Sequence, residues 1–313
     1  MTYLKSQLQV KNKIKYVHIT HTGNLGDELC SPRHYFNCTS AKADTIMGGG
    51  VQTRYILGEK QPPKNTILWG AGSTGKLDEN TMTNCDDFLA WGIRDKSLVT
   101  NEHNFLPCVS ALHPMLDLPL PKAEKTLLHI NADPRIYSYR VLKEVKKMAE
   151  INNSIFITNR APEKDFVKCL AQSSHIITSS YHGAYWGLLS GRTVTLMGYS
   201  FKFESLLNIL NLEANYIPFI KGNQETLIEA TKQAFIKKKP LKLDYHKDVL
   251  KQFRDKQLNF SKTLEDEKLL NKCELKTFDA TSVIKSKQNS EFVALNKYYA
   301  NVNLRNFISK FRK

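Results

Sequence analysis

Short apolar segments, most of which end in glycine, serine or asparagine, recur along the chain, and they constrain its fold more than any other feature. Several are separated by stretches with the 3.6-residue apolar period of a helix, such as 141–151 and 162–173. Because strands that alternate with helices build parallel sheets, the pattern predicts an α/β fold with the strand ends gathered at one edge. The segments are IKYVHIT (14–20), ADTIMGGG (43–50), NTILWGAG (65–72), FLAWGI (88–93), TLLHIN (126–131), SIFITN (154–159), HIITSS (175–180) and TVTLMG (193–198).

A proline-rich stretch divides this pattern in two. Pro114, Pro119 and Pro121 exclude a regular helix there and indicate an interdomain linker. We therefore expect two Rossmann-like domains facing a central cleft, at residues 1–120 and 121–240. The composition then becomes polar and lysine-rich, which predicts a helical C-terminal extension over 241–313, with a long helix from about residue 245 to 270.

The positive charge of the chain is concentrated near its end. The net charge is +15, and residues 231–313 carry 20 lysines and arginines against 9 acidic residues. Such a region suits an anionic membrane surface or a polyanionic substrate. The apolar positions of residues 291–313 do not fit a single continuous amphipathic helix at a membrane surface, and two short helices or one helix packed on the protein explain them equally well. A basic nucleic-acid-binding protein is the least favoured alternative, because no basic stretch is interleaved with stacking aromatic residues; we expect no nucleic acid partner.

Neither a membrane span nor a secretory leader is indicated. No apolar run approaches the roughly 20 residues of a transmembrane helix, and the N-terminus lacks the apolar stretch of a signal peptide. We expect a cytoplasmic protein. The six cysteines form no C-x-x-C pair, and the histidine pairs His18/His21 and His175/His182 have no acidic or cysteine companions in sequence, so we expect no metal.

The loop after the seventh apolar segment carries the sharpest chemical signal. Ser179 and Ser180 are residues that favour helix N-caps, and a helix of small residues follows from Gly183 to Leu189. The N-terminus of a helix binds anions through its backbone N–H groups. His182 would lie in the first turn, where an imidazole can transfer a proton or donate a hydrogen bond to a phosphoryl oxygen.

A second loop, residues 21–27, follows the first apolar segment and contains Asn24, Gly26 and Asp27. It lacks the G-x-G-x-x-G spacing of dinucleotide sites and the G-K-[ST] of a P-loop, which argues against a nicotinamide cofactor and against ATP. Each of the two loops follows a strand of a different half of the chain. We expect them to face each other across the cleft.

Taken together, these motifs resemble the polysaccharide pyruvyl transferase superfamily. The resemblance covers roughly residues 14–215 and implies a GT-B-like fold. The matching residues are Asn24, Gly26, Asp27 and Leu29; Gly48, Gly49 and Gly50; Trp69, Gly70 and Gly72; Arg94 and Asp95; Ser179, Ser180, Tyr181, His182 and Gly183; Gly191 and Val194; and Phe201, Lys202, Phe203 and Glu204.

The resemblance implies a transferase that moves a pyruvyl group from phosphoenolpyruvate onto two hydroxyls of a sugar, as a cyclic ketal. The acceptor would be a lipid-linked repeat unit of a bacterial surface polysaccharide, such as an exopolysaccharide or capsule, at the inner face of the plasma membrane. His182 would contact phosphate and transfer a proton, and Asp27 would act as base. Phosphoenolpyruvate is then a substrate and no cofactor is expected. The implied substrate-binding residues are Asn24, Gly26, Gly49, Gly50, Arg94, Ser179, Ser180, Gly183 and Lys202.

Two positions depart from the family pattern. Ser180 stands where many members have an arginine, and Thr193 stands where the family has proline. We expect Lys202 and Arg94 to supply the donor-binding charge instead. The alternative is a GT-B-like glycosyltransferase of polysaccharide or lipopolysaccharide biosynthesis, in which the helix N-terminus at Ser179 and Ser180 would hold the diphosphate of a sugar nucleotide.

Overall fold

The computed structural model describes residues 13–18, 23–73, 85–99, 101–122, 124–133, 137–237 and 239–276. The fold is mixed α/β with parallel sheets. The described chain divides into two compact units. The first unit comprises residues 13–117, 200–214 and 244–276, and the second comprises 118–199 and 215–243.

The strands are β1 (Lys15–Val17), β2 (Phe36–Ser40), β3 (Thr45–Met47), β4 (Gly50–Val51), β5 (Thr66–Gly72), β6 (Ala90–Ile93), β7 (Thr126–Ile130), β8 (Ile155–Thr158), β9 (His175–Thr178), β10 (Thr193–Gly198), β11 (Ile217–Pro218), β12 (Pro240–Leu241) and β13 (Leu270–Leu275). The α-helices are α1 (Leu25–Leu29), α2 (Thr53–Ile56), α3 (Tyr139–Ile151), α4 (Glu163–Ala171), α5 (Tyr181–Leu189), α6 (Phe201–Ile209), α7 (Gln224–Lys237) and α8 (His246–Asp266). Short 3-10 helices cover Pro32–His34, Lys96–Leu98, Glu102–Asn104, Val109–Leu112 and Pro114–Asp117.

The first unit is built on a parallel sheet around β5. This strand pairs with β3, β4 and β6, and β1 pairs with β3, all in parallel. Every residue of β5 is buried, as its unbroken apolar sequence requires of a strand covered on both faces. The carboxyl ends of β1, β3, β5 and β6 therefore lie at the same edge of the sheet.

The second unit contains a larger sheet with the order β11-β10-β9-β7-β8. All of these strands are parallel, and β12 adds to β10 in the antiparallel direction. Helices α3 and α7 pack on the sheet through buried residues that include Val145 and Leu227. Helix α5 is buried at every position, as expected for a helix that is apolar on all sides.

The basic region that the sequence predicts as a C-terminal extension packs into the first unit as far as residue 276. Helix α8 lies close to the predicted range, and β13 follows it and pairs with β2 in the antiparallel direction. Leu264, Leu270 and Cys273 join the same buried cluster as Trp69 of β5. These apolar side chains explain why the segment is part of a core despite its many lysines.

All eight apolar segments contain a strand, which confirms the α/β prediction at the level of a mixed fold with parallel sheets. The pair β2 and β13 is not predicted from the sequence, and the segment 200–214, placed in the second domain by the sequence, belongs to the first unit. Residues 291–313 lie outside the described residues. No helix in the described part of the chain is both long and apolar enough to cross a bilayer.

Candidate functional site

Polar side chains follow four neighbouring parallel strands of the second unit. Asn131 comes after β7, Asn159 after β8, Ser179 after β9 and Tyr199 after β10. They are hydrogen-bonded to one another and to the backbone: Ser179 Oγ accepts from the Asn131 N–H at 3.0 Å, and Asn131 Nδ2 donates to the Tyr199 hydroxyl at 2.8 Å. Asn159 Nδ2 donates to Asn131 Oδ1 at 2.8 Å. The carboxyl edge of this sheet therefore carries an ordered set of amides and hydroxyls, which is the usual ligand edge of a parallel α/β sheet.

Helix α5 begins at this edge, as the sequence predicts. Ser180 is its N-cap, and the Ser180 hydroxyl accepts from the Gly183 N–H at 3.5 Å. The Ser180 N–H itself donates to Thr178 Oγ1 at 3.0 Å. Two N–H groups at this end are thus satisfied by side chains of the loop, which fixes the loop and leaves less of the helix end for a ligand than the sequence suggests.

His182 lies in the first turn of α5, as predicted, and is buried. Its ring lies against Trp186, with centroids 5.2 Å apart and planes tilted by 36°, and meets Tyr181 edge-on at 5.2 Å. These two aromatic contacts hold the imidazole in a defined orientation. An imidazole held this way can act on a ligand at the sheet edge without first being ordered.

A second histidine lies beneath the start of α5. His129 of β7 is 1% exposed, and its Nδ1 lies 3.2 Å from Thr178 Oγ1. Burial, with a smaller contribution from neighbouring His182, lowers the pKa of His129 to about 3. Gly183 permits this packing, since a Cβ at position 183 would stand 2.2 Å from His129 Nδ1. His129 is therefore a neutral support beneath the helix end.

In the first unit, the structure brings Asn24, Gly26 and Asp27 together at the start of α1. Asn24 is the N-cap, and its Oδ1 accepts from the Gly26 N–H at 3.0 Å. Asn24 Nδ2 donates to Asp27 Oδ2 at 3.1 Å. The N-x-G-D sequence is thus a capped helix start in which the carboxylate of Asp27 lies in the first turn, where the helix dipole favours negative charge.

The other predicted first-unit residues also follow strands. Gly49 lies between β3 and β4, and Gly50 is the first residue of β4. A Cβ on Gly49 would stand 2.9 Å from the Gly70 carbonyl oxygen, so the two chain segments approach closely. Arg94 follows β6 and is buried. Its Nε would lie 2.3 Å from a Cβ on Gly72, so the glycine at the end of β5 makes room for the guanidinium.

Lys202 lies on α6, which belongs to the first unit, with its Nζ 5.0 Å from the centre of the Phe203 ring. Helix α6 is tied to the strand ends of that unit, because Ser205 Oγ donates to Asp95 Oδ1. Asp95 Oδ2 also accepts from the Ser73 N–H at 2.6 Å. The predicted cations Arg94 and Lys202 are therefore carried by one unit, and the predicted anion-binding loop by the other.

Three neighbours of the predicted loop in the second unit, Asn131, Asn159 and His129, do not emerge from the sequence reasoning. A signal was present, because Asn131 and Asn159 are the first residues after apolar segments of the same type as the one before Ser179. What the sequence does not give is the strand order, which makes β7 the neighbour of both β8 and β9.

A cluster of His18, Glu28 and His34 in the first unit is also absent from the sequence reasoning. His18 Nε2 lies 3.1 Å from Glu28 Oε2, and His34 Nε2 lies 3.1 Å from Glu28 Oε1. The hydrogen bond with His18, and to a smaller extent the one with His34, holds the pKa of the Glu28 carboxyl well below its usual range. Glu28 is therefore a carboxylate at any physiological pH. The ten- and six-residue spacings match no recognised ligand motif.

Comparison of the chain with protein-family models, with curated proteins and with solved structures finds no match.

Proposed function

We propose that this protein is a transferase that moves the pyruvyl group of phosphoenolpyruvate onto two hydroxyls of a saccharide. The observation that carries the proposal is the start of α5. A buried, oriented His182 stands in the first turn of a nine-residue helix, next to Ser179 and Ser180, at the carboxyl end of a parallel strand. Hydroxyls, backbone N–H groups and an imidazole at such an edge suit a phosphorylated donor.

The reaction forms two C–O bonds at the enol carbon of phosphoenolpyruvate and releases inorganic phosphate. The methylene carbon must gain a proton, and the two acceptor hydroxyls must lose theirs. In the proposal, His182 contacts the phosphate and transfers a proton, while Ser179, Ser180 and Gly183 surround the donor. Asp27 accepts a proton from the acceptor sugar. Its carboxylate is held at the start of α1 by Asn24, so its orientation is fixed before substrate binds.

The remaining predicted residues complete this assignment. Gly26, Gly49 and Gly50 would allow the acceptor to approach the backbone closely, and Arg94 and Lys202 would neutralise the donor carboxylate and phosphate. The proposal includes the GT-B-like fold with two Rossmann-like domains. It also includes a lipid-linked acceptor and a cytoplasmic enzyme drawn to an anionic inner membrane surface by its basic C-terminal region.

A second candidate is a GT-B-like glycosyltransferase that uses a sugar nucleotide. The specific observation in its favour is the amide and hydroxyl network of Asn131, Asn159 and Tyr199 beside α5, since such groups suit hydroxyl-rich ligands. The serine at position 180, where pyruvyl transferases of the resembling type carry arginine, points the same way.

Ligand-induced thermal stabilisation separates the two candidates. A ligand at one hundred times its Kd stabilises a protein by about 2.7 kcal/mol, which is readily measured as a shift in Tm. We expect phosphoenolpyruvate to raise Tm, and UDP- and CMP-sugars to leave it unchanged. Stabilisation by a sugar nucleotide alone would establish the second candidate, and no response to either class of donor would refute both.

Turnover of a histidine variant tests the assigned chemistry. Proton transfer by a positioned side chain contributes about 10²–10⁴-fold, so His182→Gln should lower phosphate release from phosphoenolpyruvate by that factor. The matched control is His175→Gln at the opposite end of β9, where the imidazole Nε2 lies 2.9 Å from Thr195 Oγ1. The control should retain the parental rate. Parental turnover in His182→Gln would remove His182 from the mechanism.

A further inference from the structure

Three side chains of the first unit converge on one point although they come from separate elements. His18 directly follows β1, Glu28 lies on α1, and His34 ends the 3-10 helix Pro32–His34. Each imidazole has its Nε2 within 3.1 Å of a different oxygen of the Glu28 carboxylate. One ligand atom from each of the three residues lies within 4.8 Å of the other two.

These separations suit a single metal ion. Zinc binds histidine nitrogen at about 2.0–2.1 Å and carboxylate oxygen at about 2.0–2.2 Å, so ligand atoms around a tetrahedral ion stand about 3.3 Å apart. The two distances from a histidine Nε2 to a Glu28 oxygen, 3.1 Å each, are close to this spacing without an ion. The two imidazole rings are also nearly perpendicular, with an interplanar angle of 81° and centroids 6.4 Å apart, so neither ring blocks the other.

The two histidine side chains of the cluster are largely buried, and the Glu28 carboxylate is partly exposed to solvent. The His18 side chain is 2% exposed and that of His34 12%, whereas Glu28 is 27% exposed. Two histidines and one glutamate with an open fourth position are the ligand set of several zinc sites that keep a bound water. His18 Nδ1 has no hydrogen-bond partner within the described residues, so hydrogen bonding alone does not account for burying this ring.

Arg33 supports a competing account. Its Nη2 contacts the same Glu28 Oε1, and its Nε lies 3.3 Å from His34 Nε2, so the cluster could instead be an ion pair with two histidines around it. The Arg33 side chain is 41% exposed, and its contacts with Glu28 and His34 are only partly buried. A metal ion would take the Nε2 lone pair of a His34 whose proton is on Nδ1, and it would displace the Arg33 contact at that atom.

We propose that His18, Glu28 and His34 bind one late first-row divalent transition metal ion, with Zn²⁺ as its representative and water as the fourth ligand. The ion ties β1, α1 and the 3-10 helix together. Because Glu28 directly follows Asp27, the ion also fixes the helix that carries the proposed base. The proposed metal site depends only on its three ligand residues and not on the proposed pyruvyl transfer.

Metal titration of the full chain tests this proposal without any activity assay. The chain is stripped with a chelator and titrated with Zn²⁺ against a chromophoric indicator, and Co²⁺ is added separately to record its visible absorption bands. We expect one Zn²⁺ per chain, tetrahedral Co²⁺ bands, and no competition from Mg²⁺, which prefers oxygen ligands. The variants are Glu28→Gln and His34→Gln, with His103→Gln at an exposed position as the matched control.

Both ligand variants should weaken Zn²⁺ binding by at least about 100-fold, and the control should bind as the parent does. Arg33→Gln separates the two accounts, because a metal site should bind Zn²⁺ equally or more tightly once the competing cation is gone. Should Glu28→Gln fail to fold, His34→Gln removes one ligand while the Arg33 contact remains. The proposal is refuted by a parent that binds no stoichiometric Zn²⁺, by parental affinity in both ligand variants, or by an Arg33→Gln variant that loses affinity as the ligand variants do.

Discussion

Acid pH should destabilise the fold through His129. The pKa of this buried imidazole is lowered to about 3, mainly by burial, from an ordinary value of about 6.5 in an unfolded chain. Unfolding below pH 6.5 therefore takes up a proton that the folded chain does not bind. The stability contributed by neutral His129 is fully present above about pH 6.5 and is lost as the pH falls towards 3.

The size of the change in the free energy of unfolding follows from the pKa shift of His129. One pKa unit corresponds to 1.36 kcal/mol, so the full effect is about 5 kcal/mol, and linkage places about 2 kcal/mol of it between pH 7 and pH 5. The surroundings of the His129 ring account for this magnitude. The ring is 1% exposed, it lies edge-on to Phe166 with centroids 5.1 Å apart, and its Nε2 has no hydrogen-bond partner among the described residues.

Urea unfolding of the parent and of His129→Asn at pH 7 and pH 5, followed by circular dichroism, measures the effect. Asparagine keeps a polar group near Thr178 but does not titrate, and the lost ring volume lowers the free energy of unfolding equally at both pH values. The parent should lose about 2 kcal/mol more than the variant between the two pH values. His103→Gln, which removes an exposed histidine, should behave as the parent does. A difference below about 0.5 kcal/mol between parent and His129→Asn would refute the assignment of a buried, neutral imidazole.

Two substitutions test the packing around the site and the core of the first unit. Gly183→Ala should lower the free energy of unfolding by about 1–3 kcal/mol, against the usual preference of helices for alanine, because the new Cβ would lie 2.2 Å from His129 Nδ1. Gly187→Ala should cost less in the same urea experiment, because its Cβ would meet side-chain carbons of Val194 and Ile176, the nearest at 2.8 Å. Gln257→Leu should lower the free energy of unfolding by about 2–4 kcal/mol, measured by heat or urea. The buried Trp69 Nε1–H donates to Gln257 Oε1 at 2.7 Å, and the substitution leaves this N–H without its acceptor. A loss below about 0.5 kcal/mol would show that water or another group replaces the amide.

Local sequence pattern was sufficient to predict the parallel strands. Each of the eight apolar segments supplies enough β-branched or aromatic side chains to be buried on a sheet, and in six of them a terminal glycine, serine or asparagine marks the end of the strand. The pair β2 and β13 was not predictable in this way. The sequence of β2, Phe-Asn-Cys-Thr-Ser, is polar and short, and its partner strand β13 lies some 230 residues later in the chain. Pairing over such a distance leaves no local signal.

The candidate site shows the same division. The capped start of α1 at Asn24 and the start of α5 at Ser180 were predictable, because N-caps are local features of sequence. The neighbours Asn131 and Asn159 depend on the strand order of the sheet, and the meeting of His18 with Glu28 depends on how β1 and α1 pack. These are tertiary relations between irregularly spaced residues, and no motif encodes them.

The mass of saccharide products tests the central claim most directly. A set of lipid-linked and free saccharides is incubated with the full chain and phosphoenolpyruvate, and each acceptor is examined by mass spectrometry while released phosphate is measured in the same samples. Pyruvyl transfer predicts an acceptor heavier by one pyruvic acid less one water, formed in equal amount to the phosphate. An acceptor that gains mass only from a sugar nucleotide, with phosphoenolpyruvate left intact, would contradict it.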